Sequence, residues 1–592
     1  MPKFLVAALV LMAGLTNMSA PEKKPSFPNA VELDRMAARF APTDLHVNVS
    51  GLSAGDRAAL ARLVMAGRLL DDIFLEQYWS GNAALYERLR KDTTPLGKAR
   101  LNYFWINKSP WSNLDGFEAF LPDVPARKPE GANFYPTDMP KEEFERWAAS
   151  LPEREQNEAK GFFTVIRRRE GGTLKVVPYS EEYKDDLEKA AQFLREAAAL
   201  TENASLKRFL TTRADAFLSN DYYESDMAWM DLDAPLDITI GPYETYNDEL
   251  LGSKASFEAY INVRDEAEST KLAAFASHLQ KLEDSLPLDP KYRNPKLGAA
   301  APIRVVDEVL AAGDGAHGVT TAAYNLPNDD RVVQQKGSKR VMLKNVQEAK
   351  FEHVLVPIAR RVLAKSAQPD VKFEPFFTHI LTHELMHGLG PHQIQVGGRN
   401  TTPREQMKEL YSAIEEAKAD VTGLWALQYM MDHAQQMGLD QVLSTGPAAE
   451  RQLYTTFLAS SFRTLRFGLH EAHGRGMAIQ VNYLMEKGAF VAEKDGTFSV
   501  NLEKAKTAVR DLDHELLTME AEGNYAAAKK MLDKAATLRP EFEAAFAKLK
   551  DIPTDIAPRF VTAEKLVLST PAKAPAKAPA KARTPATQKK PS

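Results

Sequence analysis

Apolar residues recur three and four apart, between charged ones, over residues 56–78, 180–200, 256–282 and 403–437. That spacing lays them along one face of a helix. Shorter runs flanked by turn residues, 161–166, 173–177, 236–240, 303–306 and 340–343, predict strands. The pattern as a whole predicts a mainly α protein with a smaller β component, an α+β class, its modest sheet confined to the first 350 residues. The ends differ from the body. Residues 1–20 pair a thin positive start at Lys3 with an apolar run from Phe4 to Leu15 and small residues at Ser19 and Ala20, the form of a secretory signal. Pro21 straight after Ala20 is an awkward cleavage context, so an uncleaved anchor or an ordinary terminus stays open. A signal would imply a periplasmic or secreted protein, its lack a cytoplasmic one. Residues 21–29 read as a polar tether, and folding starts near Ala30. Residues 571–592, a Pro-Ala-Lys repeat with no acidic residue, predict a disordered tail.

A chain of 592 residues, 44% apolar, can bury a large core, as several domains or one two-lobed body. Its 75 basic and 80 acidic residues leave a net charge of −5, which gives no general attraction to nucleic acid. The apolar run near the start is too short to span a bilayer and no longer one follows, so stable membrane insertion is not expected. Nothing in the pattern assigns an oligomeric state. The chain has no cysteine, which removes disulfides, thiolate metal sites and cysteine nucleophiles. Any metal must sit on His, Asp and Glu.

Residues 375–388, PFFTHILTHELMHG, predict a helix with Pro375 in its first turn and Gly388 at its end. Within it, H-E-x-x-H places His383 and His387 one turn apart on one face, where both imidazoles can reach one zinc ion. Glu384, between them, is then positioned to take a proton from water. The flanking Phe376, Phe377, Ile380, Leu381, Leu385 and Met386 make the helix too apolar for a surface element, so its buried polar groups need partners. A third ligand is expected from EEAKAD, residues 415–420, in the helix beginning near Pro403 with Thr402 as its cap. Glu416 completes a His-His-Glu set. Asp420, four residues on, and Glu415 are candidates to orient the ligand imidazoles from behind. His379 reads as a wall of the site and His392 as a loop residue.

These segments, with GPYETYND (241–248), GSKASFE (252–258), YNLPNDD (324–330) and EAH (471–473), resemble the dipeptidyl peptidase III family in sequence and in order along the chain. The resemblance covers roughly residues 232–488. It implies a helical upper lobe bearing zinc (265–302 and 351–550), a lower lobe with a small barrel-like sheet (30–264, with 303–350 returning to it), and a cleft between them that receives short oligopeptides. By position, Glu244, Asn325 and Asn328, with Glu258 near them, would hold the amino terminus of the peptide. Tyr246 and His473 would steady the oxyanion. One departure is plain: better-known members carry H-E-x-x-G-H, whereas His383-Glu384-Leu385-Met386-His387 is one residue shorter and needs no distortion of the helix. The resemblance supplies no residues for the far end of the substrate.

The resulting expectation is a zinc exopeptidase that releases dipeptides. The zinc helix alone fits an endopeptidase or carboxypeptidase equally well, and the lobes without catalysis would make a peptide-binding protein. Singly, Asn325 and Asn328 also read as turn residues about Pro327, and Tyr246 or His473 as ordinary core residues.

Overall fold

The computed structural model describes residues 27–297, 302–469 and 472–569. The expected signal, nearly all of the tether, Glu471 and the Pro-Ala-Lys tail lie outside the described residues.

Two large hydrophobic cores divide the chain. One draws on Leu272 to Leu288 and on Phe351 to Ile552; the other on Ala41 to Ile261, Val306 to Ala349 and two residues near the end, Ile556 and Ala563. The second surrounds a five-stranded sheet of β1 (Leu236–Glu244), β2 (Ser256–Arg264), β3 (Ile303–Gly313), β4 (Ala323–Leu326) and β5 (Lys339–Leu343). Its order is β1-β2-β3-β5-β4, antiparallel except for the parallel pair β3 and β5. The edge strands curl towards each other. Thr239 and Tyr324 hydroxyls lie 2.9 Å apart, and Asn328 Nδ2 donates to the Tyr243 carbonyl at 2.9 Å, so the sheet is barrel-like although no ladder joins β1 to β4.

Residues 256–282 are not one helix. Ser256–Arg264 is strand β2, and helix resumes only at Glu266–Ala276 and Leu279–Ser285. The strand runs through the middle of the sheet with seven consecutive buried residues, so it lacks the alternation that marks a half-exposed strand. Residues 403–437 are likewise interrupted. Pro403–Met407, opened by a capping box between Thr402 and Glu405, stops at Lys408, whose φ of 53° no helix accommodates. The long helix starts afresh at Tyr411.

Strand Phe40–Leu45 pairs in parallel with Asp555–Phe560, so the chain returns to the sheet-bearing core at its end. Between the cores, helix Lys344–Lys350 passes through a π-helical turn, Phe351–Leu355, into Val356–Val362. The helical core is built round α1 (Phe373–Met386), α2 (Tyr411–Asp432), α3 (Pro447–Leu465) and α4 (Ala472–Glu486). Among the described residues no helix is long and apolar enough to cross a membrane.

Candidate active site

α1 buries Phe376, Phe377, Leu381, Leu385 and Met386 in the helical core, which turns His383 and His387 towards α2. Its C-terminal end is secured from α2: the fully buried Lys418 donates to the carbonyls of Met386 (3.2 Å) and Leu389 (3.1 Å). Two glycines set the spacing of the helices. A Cβ on Gly423 would stand 3.2 Å from the His383 amide, and one on Gly476 would stand 3.0 Å from both the Ala413 carbonyl and the Ala417 amide. Backbone therefore packs on backbone, bringing α2 against α1 and α4 against α2.

The side chains converge accordingly. Nε2 of His383 and of His387 are 3.2 Å apart, and Oε2 of Glu416 lies 3.3 Å from the first and 3.9 Å from the second. Four ligands at zinc–ligand lengths of about 2.1 Å in a tetrahedron stand roughly 3.4 Å from one another, a spacing that the three atoms bracket at 3.2 to 3.9 Å. Glu416 Oε2 is buried without a hydrogen-bond partner among the described residues, and the two imidazole nitrogens face each other; a cation between them would satisfy all three.

Each imidazole is held from behind. His383 Nδ1 lies 2.9 Å from Asp420 Oδ1, and His387 Nδ1 2.7 Å from Glu415 Oε1. These acceptors fix the tautomer that leaves Nε2 facing the centre. They are anchored in turn: Gln480 donates to Asp420 at 3.0 Å, and Lys418 lies 2.9 Å from Glu415. Burial works against charge here, yet the charge and hydrogen bond of His383 hold Asp420 well below the carboxylate range, and Lys418 with His387 does the same for Glu415. Burial also opposes a proton on His383, but Asp420 and Glu416 outweigh it and raise that pKa well above the usual histidine value. His379, on the wall as expected, bonds the Asp420 carbonyl at 3.0 Å.

His473 Nε2 lies 3.2 Å from Glu416 Oε2, so His383, Glu416 and His473 form a second donor set, all within 4.8 Å of one another. The set containing His387 is the better supported of the two from behind. Both of its imidazoles have a carboxylate behind them, whereas His473 is 65% exposed with no such support among the described residues. Glu384 faces the cleft and is met from the sheet by Arg340 of β5, whose Nε lies 3.2 Å from the carboxylate and whose guanidinium also donates to the Glu384 carbonyl. Arg340, Lys418 and Gln480 were not singled out from the sequence.

Across the cleft the sheet carries an acidic pole. Burial, with the charge of Asp314 nearby, pushes the Glu244 carboxyl up to about 7. Glu258 is wholly buried, accepts a hydrogen bond from Tyr260 at 3.1 Å with its other oxygen unpaired, and is raised well above the carboxylate range by burial and by Asp314 and Glu244. Asn325 and Asn328 are exposed, and Asn328 is tied to the strand carrying Glu244 through the Tyr243 carbonyl. Tyr246 is 81% exposed, and among the described residues its hydroxyl touches none of the metal-facing groups.

The sequence matches the model of peptidase family M49 over residues 133–397. The solved dipeptidyl-peptidase III from Corallococcus sp. strain EGB is 53% identical with a TM-score of 0.75, covering 92% of this chain and 99% of that one. DPP III from Caldithrix abyssi is 46% identical with a TM-score of 0.85, covering 90% and 100%. This chain belongs to peptidase family M49. As an M49 protein it is a metallopeptidase, a hydrolase built as a two-lobed α+β body. A relative named Nudix hydrolase 3, from Arabidopsis thaliana, is 43% identical over 589 residues, 91% of this chain and 75% of the relative. The M49 match takes in the sheet and α1 but ends before Glu416 and His473, whose places are set by geometry alone.

Proposed function

We propose that the protein is a zinc-dependent exopeptidase that releases dipeptides from the free amino terminus of short peptides. The convergence of His383, His387 and Glu416, with Glu384 beside them, supports this reading most directly. When bound, zinc polarises the scissile carbonyl and makes water a competent nucleophile near neutral pH. Glu384 takes the proton from the water and returns it to the leaving amine. His473, exposed beside Glu416, donates to the oxyanion, and Tyr246 joins it when the lobes close on a peptide. Glu244, Asn325 and Asn328 receive the amino terminus, with Glu258 adding negative charge behind them.

The support behind the ligands should be measurable. Asp420→Ala removes the acceptor that orients His383 and should weaken zinc binding about ten- to a hundredfold. Competition with a chelator reads this, and unchanged affinity would remove Asp420 from that role.

The amino-terminal reading is tested by kcat/KM for matched free and N-acetylated peptides. A carboxylate left without its ammonium costs roughly 2 to 4 kcal/mol, so discrimination of about thirty- to a thousandfold is expected just above neutral pH, where Glu244 is ionised and the peptide amine still holds its proton. Because the Glu244 pKa stands at about 7, the preference should narrow as pH falls below that value, where the acid takes a proton instead of needing a cation. Acetylated and free peptides cut equally well at about pH 7.5 would refute the assignment and favour an endopeptidase.

A further inference from the structure

The cleft continues past the metal-facing groups into a pocket of 330 Å³ whose walls include Gln347, Lys350, Ser460 and Arg463 as well as His383, Glu384 and His473. Its charged walls are of two kinds, the acids Glu384 and Asp420 beside the imidazoles and the bases Lys350 and Arg463. Lys350 is paired with Asp555 at 3.0 Å and also donates to the Thr320 carbonyl. Arg466, three residues on from Arg463 and outside the pocket lining, donates to the carbonyls of Pro553 (2.9 Å) and Ile552 (2.7 Å). Arg463 makes no ion pair among the described residues, and its buried Nε has no hydrogen-bond partner there. Asp555 is thus taken by Lys350, and Arg463 is left without a carboxylate partner among the described residues. The other carboxyl acting on Lys350, Glu308, is pushed by burial up to about 8 and is mostly uncharged at neutral pH. Burial pulls Arg463 below the ordinary guanidinium value, with only Asp555 opposing. A guanidinium in this setting is stabilised by an anion entering the pocket.

β4 connects this pocket to the acidic pole. Its first residue, Ala323, lines the pocket, Asn325 follows two places on, and Asn328 then bonds the carbonyl next to Glu244. The strand is an edge of its sheet. An extended peptide advances about 3.3 Å per residue, so a chain of a few residues laid along it reaches from one pole to the other.

We propose that this pocket takes a carboxylate on the leaving side of the scissile bond, in the first place the C-terminal carboxylate of a short peptide, and that Arg463 is the residue that selects for it. The inference rests on the amino-terminal reading above, which sets the direction of the peptide. It makes the enzyme a reader of both peptide ends, suited to short peptides with free termini.

The test uses zinc-loaded full-length protein and three tetrapeptides: a neutral free acid, its C-terminal amide, and an amide with Glu at position four. Dipeptide release is followed by mass. The free acid should be favoured over the neutral amide by about ten- to a hundredfold in kcat/KM. In Arg463→Gln that ratio should collapse towards one, while Arg463→Lys keeps part of it. Rescue of the amide by Glu at position four would show that a side-chain carboxylate is accepted too; no rescue would restrict the pocket to the terminal carboxylate. Equal release from free acid and neutral amide by the wild type overturns the proposal and leaves the dipeptidyl reading standing. A preference that survives undiminished in Arg463→Gln overturns the assignment to Arg463. Absence of dipeptides from all three peptides overturns the dipeptidyl reading, and this proposal falls with it.

Discussion

Glu384→Gln should lower kcat on the order of 10³- to 10⁴-fold while KM changes little, because an amide cannot accept the proton that the attacking water must lose. The substitution is close to isosteric. Its remaining oxygen can still meet Arg340, which holds the native carboxylate at 3.2 Å, so the side chain keeps its place. Nor does it touch the metal-facing nitrogens, so zinc content after dialysis should match the wild type. Steady-state kinetics with elemental analysis of the same samples separate loss of base from loss of metal. Turnover near the wild-type rate would remove Glu384 from the mechanism.

Glu416→Ala should abolish activity by a different route. It removes one of three converging donors and leaves His383 and His387 facing each other 3.2 Å apart with no anion to offset a divalent ion. Loss of a direct ligand should exceed the ten- to hundredfold cost of losing a supporting group, so zinc affinity should fall by about a hundredfold or more. The comparison variant is Glu415→Gln rather than Glu415→Ala, because Glu415 also accepts from the fully buried Lys418 at 2.9 Å, and an amide oxygen keeps a hydrogen-bond acceptor there even though the charge is lost. Glu415→Gln should keep most of its zinc. Equal retention of zinc by wild type and Glu416→Ala would take Glu416 out of the set of ligands.

What was legible in the sequence follows the range over which each signal acts. His383 with His387, and Glu416 with Asp420, lie four residues apart, and helical geometry alone puts each pair on one face. That β2 is a strand was not legible, since burial on both faces erases its alternation and Phe257, Tyr260, Ile261 and Val263 imitate a helical period. The break at Lys408 carries no glycine or proline to announce it. Arg340, Lys418, Gln480 and Arg463 take their places at or behind the site only because distant elements pack together, and no local spacing distinguishes a basic residue in a strand from one paired with Glu384. Gly423 and Gly476 mark close helix contacts in the structure, yet an isolated glycine in a helical pattern reads only as a weak position.

The most direct measurement is mass identification of the products formed with time from an unblocked hexapeptide of six distinct residues, with metal-stripped protein and protein reconstituted with zinc. The zinc-loaded protein should release the first two residues as an intact dipeptide, then the next two, and the stripped protein should release nothing until zinc is restored. Single amino acids, cuts at internal bonds unrelated to the amino terminus, or full activity without metal would contradict a zinc-dependent dipeptidyl peptidase.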